Sequence, residues 1–497
     1  NAVNRHTSHL RLSAEMHDIS MTPTSSGSHD EEARFFNPAM IPLPYWSSPS
    51  RSAGPKYVLV SRLVTTGYHQ ESHICLADIC TNTNASKVLP LDTRACTASD
   101  LSMLGGRGGM RCVTEPVKIN IPSTPAERCD TAWLAFPDIP GFHDPRVFWS
   151  GKGEPLILVN SASRYGCLGL WVVDLRRVFP ELDKVLEPRQ RLRQNQREQG
   201  TGGKGSSSTG TMLMSYPHLT EITRNPRSSR SLVEKNWVLW FPNHEEAYVQ
   251  YDMLGRTFAK LTGNGLTTRN LTSPYELPCF TDAQEKDKFG NPGRWHQGSN
   301  ALRLLLCTRA EARMGQCEEE QAIEDGRSIH FAVVHRKFSN VIHLPLRYER
   351  YVLLWESRKP FQVVGMSKFP LLMREERAKP WSDAENWPGM GNRKAKTGGN
   401  WTLNQDGGLS GRPNGKVQDH TQSHFTYTPG LTWAWKPHSP GLGEDDEDDI
   451  DHMSRLGVGY LGDEVLVGIG VDDVSQGFAK VKVEDLLQCL RLCPGVG

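Results

Sequence analysis

Long apolar runs are missing from this chain. Its 497 residues contain no stretch of about 18 apolar residues, so no segment reads as a membrane-spanning helix. An excess of one charge is missing too. The 57 Lys and Arg residues are matched by 56 Asp and Glu, a net charge of +1, and no nucleic-acid partner is expected. Paired CxxC motifs are lacking, which argues against a structural zinc site. The Gly-rich stretches 105–109 and 200–205 lack the Lys-Ser/Thr of a phosphate-binding loop, and neither Gly-x-Ser-x-Gly nor His-Glu-x-x-His occurs. No cofactor and no metal is expected. The first residue is Asn1 rather than Met, so a processed or truncated N-terminus is expected, with any signal or membrane anchor outside this chain.

What is present is a globular composition with polar additions. Apolar residues make up 37% and charged residues 23%, which excludes a wholly disordered chain. A mean hydropathy of -0.50 points to polar insertions rather than a weak core. The length suits one large domain or two to three ordinary ones. Of the 11 cysteines, Cys75, Cys80, Cys96, Cys112 and Cys129 cluster early, and Cys307 and Cys317 bracket a short step. Three sequons occur, at Asn84, Asn270 and Asn400. Cysteines and sequons together point to the secretory pathway; the alternative is a cytosolic protein with buried free thiols.

Short β-type runs fill the chain, among them Tyr57 to Val64, Leu156 to Val159, Leu170 to Val173, Ala247 to Tyr251, Tyr351 to Trp355 and Val465 to Ile469. One helix is expected, Glu484 to Leu492, with Pro494-Gly495 beyond its end. Many short strands with turn-rich joints predict an all-β sandwich, barrel or propeller. Residues 1–34 are polar and aperiodic and read as a disordered stem, with Phe35-Phe-Asn-Pro38 opening the folded part. Insertions near 188–211, 386–423 and 440–453 read as disordered loops. The last contains the acidic run Glu444 to Asp451, taken as solvated surface rather than a metal-binding Asp-x-Asp.

One stretch gathers reactive groups: His143-Asp-Pro-Arg146, then Val147-Phe-Trp149, then a Gly-rich hairpin into the strand Pro155 to Val159. Pro145 should keep Asp144 off a helix, extended or in a turn. Function needs a carboxylate able to give or take a proton; the plainer alternative is a structural turn in which Arg146 makes an ion pair. Other blocks follow. Glu234-Lys-Asn-Trp237 leads to Phe241-Pro242 and Tyr251-Asp252. Phe331 to His335 leads to Arg347 to Trp355. Gly468-Ile-Gly-Val-Asp-Asp473 closes the series. Thirteen tryptophans suit stacking on sugar faces and suit a β core equally.

The blocks, in this order, resemble the five-bladed β-propeller enzymes that act on β-mannosides: the mannoside phosphorylases and the related fungal β-1,2-mannosyltransferases. The resemblance runs from Asn37 to Asp473. It implies a five-bladed β-propeller over 35–497 with a short C-terminal helix. It also implies an inverting β-mannosyltransferase that moves mannose from GDP-mannose to an oligomannoside acceptor in cell-wall mannan or glycan. Such an enzyme would sit in the Golgi lumen as a type II membrane protein, held by an N-terminal anchor absent from this chain. By the same resemblance Asp144 is catalytic, and Asn37, Arg62, His143, Arg146 and Asp473 bind the sugar. Lys235 and His335 face the donor phosphates. Where the phosphorylases carry a phosphate-holding His-Arg pair, this chain has Tyr251-Asp252, and the added anion counts against a phosphorylase. A mannoside phosphorylase or hydrolase and a non-catalytic carbohydrate-binding propeller are the alternatives.

Overall fold

Runs such as Tyr57-Val-Leu-Val60 and Leu156-Ile-Leu-Val159 are apolar at every position. Alternate side chains of a strand point to opposite faces, so these strands need a packed layer on both sides. The computed structural model supplies it. It describes residues 3–4, 9–22, 33–48, 54–65, 70–83, 92–120, 129, 143–187, 213–272, 279–280, 293–338, 347–374, 376, 401–403, 409–411, 425–437, 449–488 and 490–493. The described chain is mostly β, with short helices.

The strand pairings group into four-stranded antiparallel units. Phe35–Pro42, Tyr57–Leu63, Ser72–Thr81 and Gly108–Cys112 form the first. His143–Trp149, Pro155–Ala162, Leu168–Asp174 and Thr220–Asn225 form the second. Val238–Trp240, Ala247–Asp252, Thr257–Leu261 and Leu266–Arg269 form the third. Arg294–Thr308, Ser328–Phe338, Arg347–Glu356 and Val363–Ser367 form the fourth. The fifth joins Thr426–Tyr427 and Leu431–Trp433 to Glu464–Val471, then Ser475–Lys482, then the N-terminal strand Met16–Ser20.

Successive residues of one strand serve different interfaces. Ala39 and Ile41 pack with Val147 and Ile157 between the first and second units, whereas Met40 packs with Leu466 and Phe478 between the fifth and first. Leu156 and Leu158 look the other way from Ile157, into the cluster shared with Leu239 and Val249. Two more clusters lie between the third and fourth units and between the fourth and fifth. The units thus follow one another face to face until the last meets the first. Met16–Ser20 completes that closure by pairing in parallel with Gly108–Cys112.

The structure corrects three expectations. Within residues 1–34, His9–Arg11 and Met16–Ser20 are strands, and Leu10, Leu12 and Met16 are buried in the core. Two or three alternating apolar residues in a polar segment are too few to announce a strand; a partner edge made them one. The C-terminal helix is only Val483–Leu486, and Leu490–Leu492 instead pairs with the edge of Val363–Ser367. That edge's backbone groups find partners only if the chain extends along them. In the third insertion, Asp449–Ser454 is a helix whose Met453 is buried between the first two units. Residues 188–211, 441–448 and most of 386–423 lie outside the described residues.

Ten cysteines form disulfides: Cys75–Cys112, Cys80–Cys96, Cys129–Cys167, Cys279–Cys493 and Cys307–Cys317. Every tryptophan whose side chain is described is buried, including Trp171, Trp237, Trp240 and Trp355. The described tryptophans build the core rather than sugar-stacking platforms.

Candidate active site

The first strand of several units breaks register at the same end. The shift falls between Phe36 and Ala39 in the first unit, His143 and Arg146 in the second, and Gln297 and Ala301 in the fourth. In the first two the bulge is an Asx-Pro pair, Asn37-Pro38 and Asp144-Pro145. Asn37 (φ 53°) and Asp144 (φ 47°) are left-handed, as are Asn236 (φ 60°), just before the third unit's first strand, and Asp472 and Asp473 (φ 49° and 53°), in the turn of the fifth. Asn and Asp tolerate this region better than other side-chain-bearing residues do, but it still strains the backbone. Asp144 is therefore off any helix, as Pro145 predicted, and of the two conformations expected, extended or turn, it takes a left-handed, bulged one.

Asp144 Oδ1 accepts a hydrogen bond from Arg62 Nη1 at 2.6 Å, and Asp144 keeps 24% of its side chain exposed. Arg62 lies over the Phe36 ring at 4.6 Å. Asp473 approaches the same cation from the fifth unit. Its side chain is exposed, and the protein around it, then the Asp144 and Asp472 carboxylates, raise its pKa against the pull of Arg62 and a hydrogen bond from Asn37. Asn37 Oδ1, Arg62 Nε and both amide atoms of Gln476 are buried with no hydrogen-bond partner among the described residues. Gly470 carries no Cβ because one there would strike Asn37 Oδ1, and a Cβ on Gly468 would strike the Pro38 carbonyl. The Gly468-Ile-Gly470 spacing thus lets the Asn37 bulge lie flat on the neighbouring strand.

Arg146 has another task from the one expected. It is 1% exposed. Its Nε donates to Gly298 O at 2.9 Å, and its Nη2 donates to Asn236 Oδ1 at 3.1 Å and to the Tyr427 hydroxyl at 3.2 Å. It is a buried tie joining four units, not a sugar contact. His335 is corrected as well. It is wholly buried, its ring stacks on Tyr427 at 4.6 Å, and its Nε2 accepts from the Thr428 amide at 3.1 Å. Burial holds its pKa well below the usual histidine range. A histidine so placed supports Tyr427 and does not reach a donor. Behind it Arg350 bonds Thr426, Thr428 and the buried Glu376, fixing the segment that carries Tyr427. His143 lies at the start of its strand opposite Asn160; its side chain is outside the described residues.

Sequence reading passed over His296, which is partly buried and reaches this site through Asn236. Strand register shows why it matters. His296 lies opposite His335, Arg294 opposite Lys337, and Lys337 opposite Tyr348, so Arg294, His296, Lys337 and Tyr348 share one sheet face. Asn236 Nδ2 and His296 Nδ1 are 3.2 Å apart. Burial, then Lys337, Lys235, Arg146 and Arg294, depress the His296 pKa to about 3. Lys235 and Arg294 are exposed and have no ion-pair partner among the described residues. At Tyr251-Asp252, Arg224 grips Asp252 at 2.8 and 3.1 Å, and Tyr251 is buried. The Arg62–Asp144 pair is linked through Arg146 and Asn236 to the sheet face that carries Arg294, His296 and Lys337.

A small cavity lies toward the other end of the first strands, between Ile41, Trp149, Asn300 and Leu431. Its ionisable side chains are engaged, Arg303 with the Pro242 carbonyl and Glu319, His330 with the Phe241 carbonyl and Ser357.

No family model matches the chain, and no curated protein is similar to it in sequence. Similar solved structures include a hypothetical protein from Leishmania major, at 9% identity over 94% of this chain and 89% of that one, with a TM-score of 0.34. A putative glycoside hydrolase from Parabacteroides distasonis matches at 12% identity over 91% and 87%, with a TM-score of 0.37. A β-1,2-mannobiose phosphorylase from Listeria innocua matches at 10% identity over 94% and 95%, with a TM-score of 0.34. At these scores no shared active site follows.

Proposed function

We propose that this chain is a β-mannosyl-transferring enzyme built as a five-bladed β-propeller, each four-stranded unit being one blade. The observation that carries the reading is the convergence of Asp144, Arg62 and Asp473 on one strained opening beside the cationic face of Arg294, His296, Lys337 and Lys235. Asp144, hydrogen-bonded by Arg62, takes the proton of an acceptor hydroxyl as that oxygen attacks the anomeric carbon. Such base assistance is worth roughly 100- to 10,000-fold. The leaving group is anionic, and fixed cations stabilise the charge that develops on it. The donor is GDP-mannose, the acceptor an oligomannoside, and the reaction inverts the anomeric centre. The sequence resemblance to the fungal β-1,2-mannosyltransferases supports those choices. The five disulfides support a secretory-pathway location, the Golgi lumen in this reading.

A second reading has an observation of its own. Arg224 neutralises Asp252, so the anion expected to repel inorganic phosphate is tied off, and the same cationic face suits phosphate in a mannoside phosphorylase. One experiment separates the two. The protein is incubated with a β-mannoside acceptor plus GDP-mannose, and separately with the mannoside plus inorganic phosphate. A longer mannoside in the first supports the transferase, mannose 1-phosphate in the second supports the phosphorylase, and neither product rejects both.

A further inference from the structure

Two partly exposed rings sit at the opening end of the fourth and fifth units. Tyr348 is the second residue of Arg347–Glu356, and Phe425 directly precedes Thr426–Tyr427. Their centroids lie 5.8 Å apart, the planes tilted by 58°. The rings they rest on are covered. Tyr348 meets Tyr427 at 5.3 Å and His335 at 5.6 Å, and those two rings, 7% and 0% exposed, stack on each other. Phe425 is also held through its backbone. Its amide donates to Asp472 Oδ1 at 2.9 Å, and its carbonyl accepts from the Asp472 amide at 3.2 Å. The pair is thus an aromatic step with a packed base and a part-open top. The step adjoins the cationic face. Tyr348 lies opposite Lys337, whose Nζ is 5.8 Å from the centre of the Tyr348 ring, and the His296 ring is 6.3 Å away. Lys337 in turn lies opposite Arg294. The tautomer of His296 follows from its neighbour. Arg146 can only donate, so Asn236 accepts through Oδ1 and donates through Nδ2 to His296 Nδ1. The ring proton is then on Nε2, where it can donate to a phosphate oxygen.

We propose that Tyr348 and Phe425 form the nucleobase subsite of a nucleoside-diphosphate sugar, with its diphosphate on Arg294, His296 and Lys337. The proposal rests on the transferase reading above and deepens it. A neutral oligomannoside has use for rings but not for a row of cations. Inorganic phosphate has use for the cations but not for rings. A nucleoside diphosphate uses both at once: its base stacks on the aromatic step while its phosphates take charge-assisted hydrogen bonds from the neighbouring strands. The rings are pre-positioned by the packing beneath them, so little ordering is needed when the base arrives. Stacking of ordinary strength should make GDP bind about 5- to 150-fold tighter than the same molecule without its base.

The test compares GDP with ribose 5-diphosphate, which is GDP without the base, by calorimetry on the whole protein. Wild type should prefer GDP by the factor given above. Tyr348→Leu and Phe425→Leu should each cut GDP affinity at least about fivefold and leave ribose 5-diphosphate affinity unchanged, which also shows that the variants are folded. Tyr348→Phe keeps the ring and should keep the preference. In wild type, deuterated except at Tyr and Phe rings, saturating those ring protons should reach the guanine C8 proton of bound GDP, a readout that needs no variant. Equal affinities of wild type for the two ligands, equal weakening of both in the leucine variants, or no transfer to the base overturns the proposal. Incubation with GDP-mannose and a mannoside acceptor separates it from the transferase reading. A base-dependent affinity without mannosyl transfer keeps the subsite and removes the transferase. Mannosyl transfer with a base-independent affinity keeps the transferase and removes the subsite. If neither ligand binds, both fall.

Discussion

Asp144 is the residue on which the chemistry turns. Asp144→Asn keeps the shape of the bulge and removes the base. The expected result is a loss of at least about a hundredfold in kcat with folding and donor affinity retained, read from initial rates and donor binding on the same sample. Gly470 tests the scaffold beneath it. A methyl there strikes Asn37 Oδ1, so Gly470→Ala should lower both Tm and turnover, and Asn37→Ala in the same chain should restore Tm but not turnover. Asp144, Asn37, Arg62 and Asp473 were all legible as reactive or polar residues in a meaningful order, and the structure brings them together. Arg146 and His335 were named too, but their burial assigns them to support. Residue type says what a side chain can do; only its surroundings say whether a substrate can reach it.

Elements carry the next set of expectations. The cationic face exists because two strands of the fourth unit pair in one register, which puts Arg294 across from Lys337. A shift by one residue would send both to the other face. Arg294→Glu or Lys235→Glu should raise the apparent KM for GDP-mannose or phosphate several-fold, weaken further as salt is lowered, and leave the acceptor KM unchanged. An equal change in both KM values would remove the face from the donor side. The N-terminal strand is a second element to test. Leu10, Leu12, Met16, Ile19 and Met21 are each 9% exposed or less. At roughly 1.5–3 kcal/mol each, their burial approaches the whole stability of a domain, about 5–15 kcal/mol. Deleting residues 1–22 should therefore yield aggregated or unfolded protein, whereas a mere stem would leave Tm unchanged. The strands in the middle of the chain were legible because they are apolar at every position. The strand His9–Arg11 was not, because Leu10 and Leu12 are brief signals whose partner, Leu371–Leu372, lies far along the chain.

The whole molecule has a predictable response to acid. His296 and His330 have pKa values depressed to about 3, and His335 is held well below the usual 6.5, burial being the first cause in each. The unfolded chain binds protons at these histidines as pH falls below about 6.5, while the folded chain does not until near 3, so stability should fall across that window. Asp473 has the opposite sign. Its folded form keeps a proton up to about pH 6 that the unfolded chain releases near 3.8, so its contribution declines as pH rises between them. Asp78, Asp183 and Glu221, raised by burial, share the sign of Asp473. His17, lowered by burial, and the lowered carboxyls Asp100, Glu319, Glu376 and Asp463 share the sign of the three histidines and favour loss toward acid. Tm should drop steadily from pH 6.5 toward pH 4, and replacing His330 with Gln should flatten the curve. A Tm independent of pH over that range would show that these rings are not held neutral.

The sequence by itself determined the all-β class, the position of most strands and the order of the polar blocks, because short apolar runs, turn residues and local composition act over a few neighbours. It also marked the Asx-Pro pairs, since proline and left-handed Asx restrict the backbone wherever they occur. Tertiary structure alone decided the rest. It decided that Met16–Ser20 closes the arrangement and that Arg62 pairs with Asp144. It decided that His335 is covered by Tyr427 while His296, on the same sheet face, is only partly buried, and that Arg224 pairs with Asp252. Each of these depends on register and on which faces meet, and those are fixed by burial summed over distant segments rather than by any one stretch of chain.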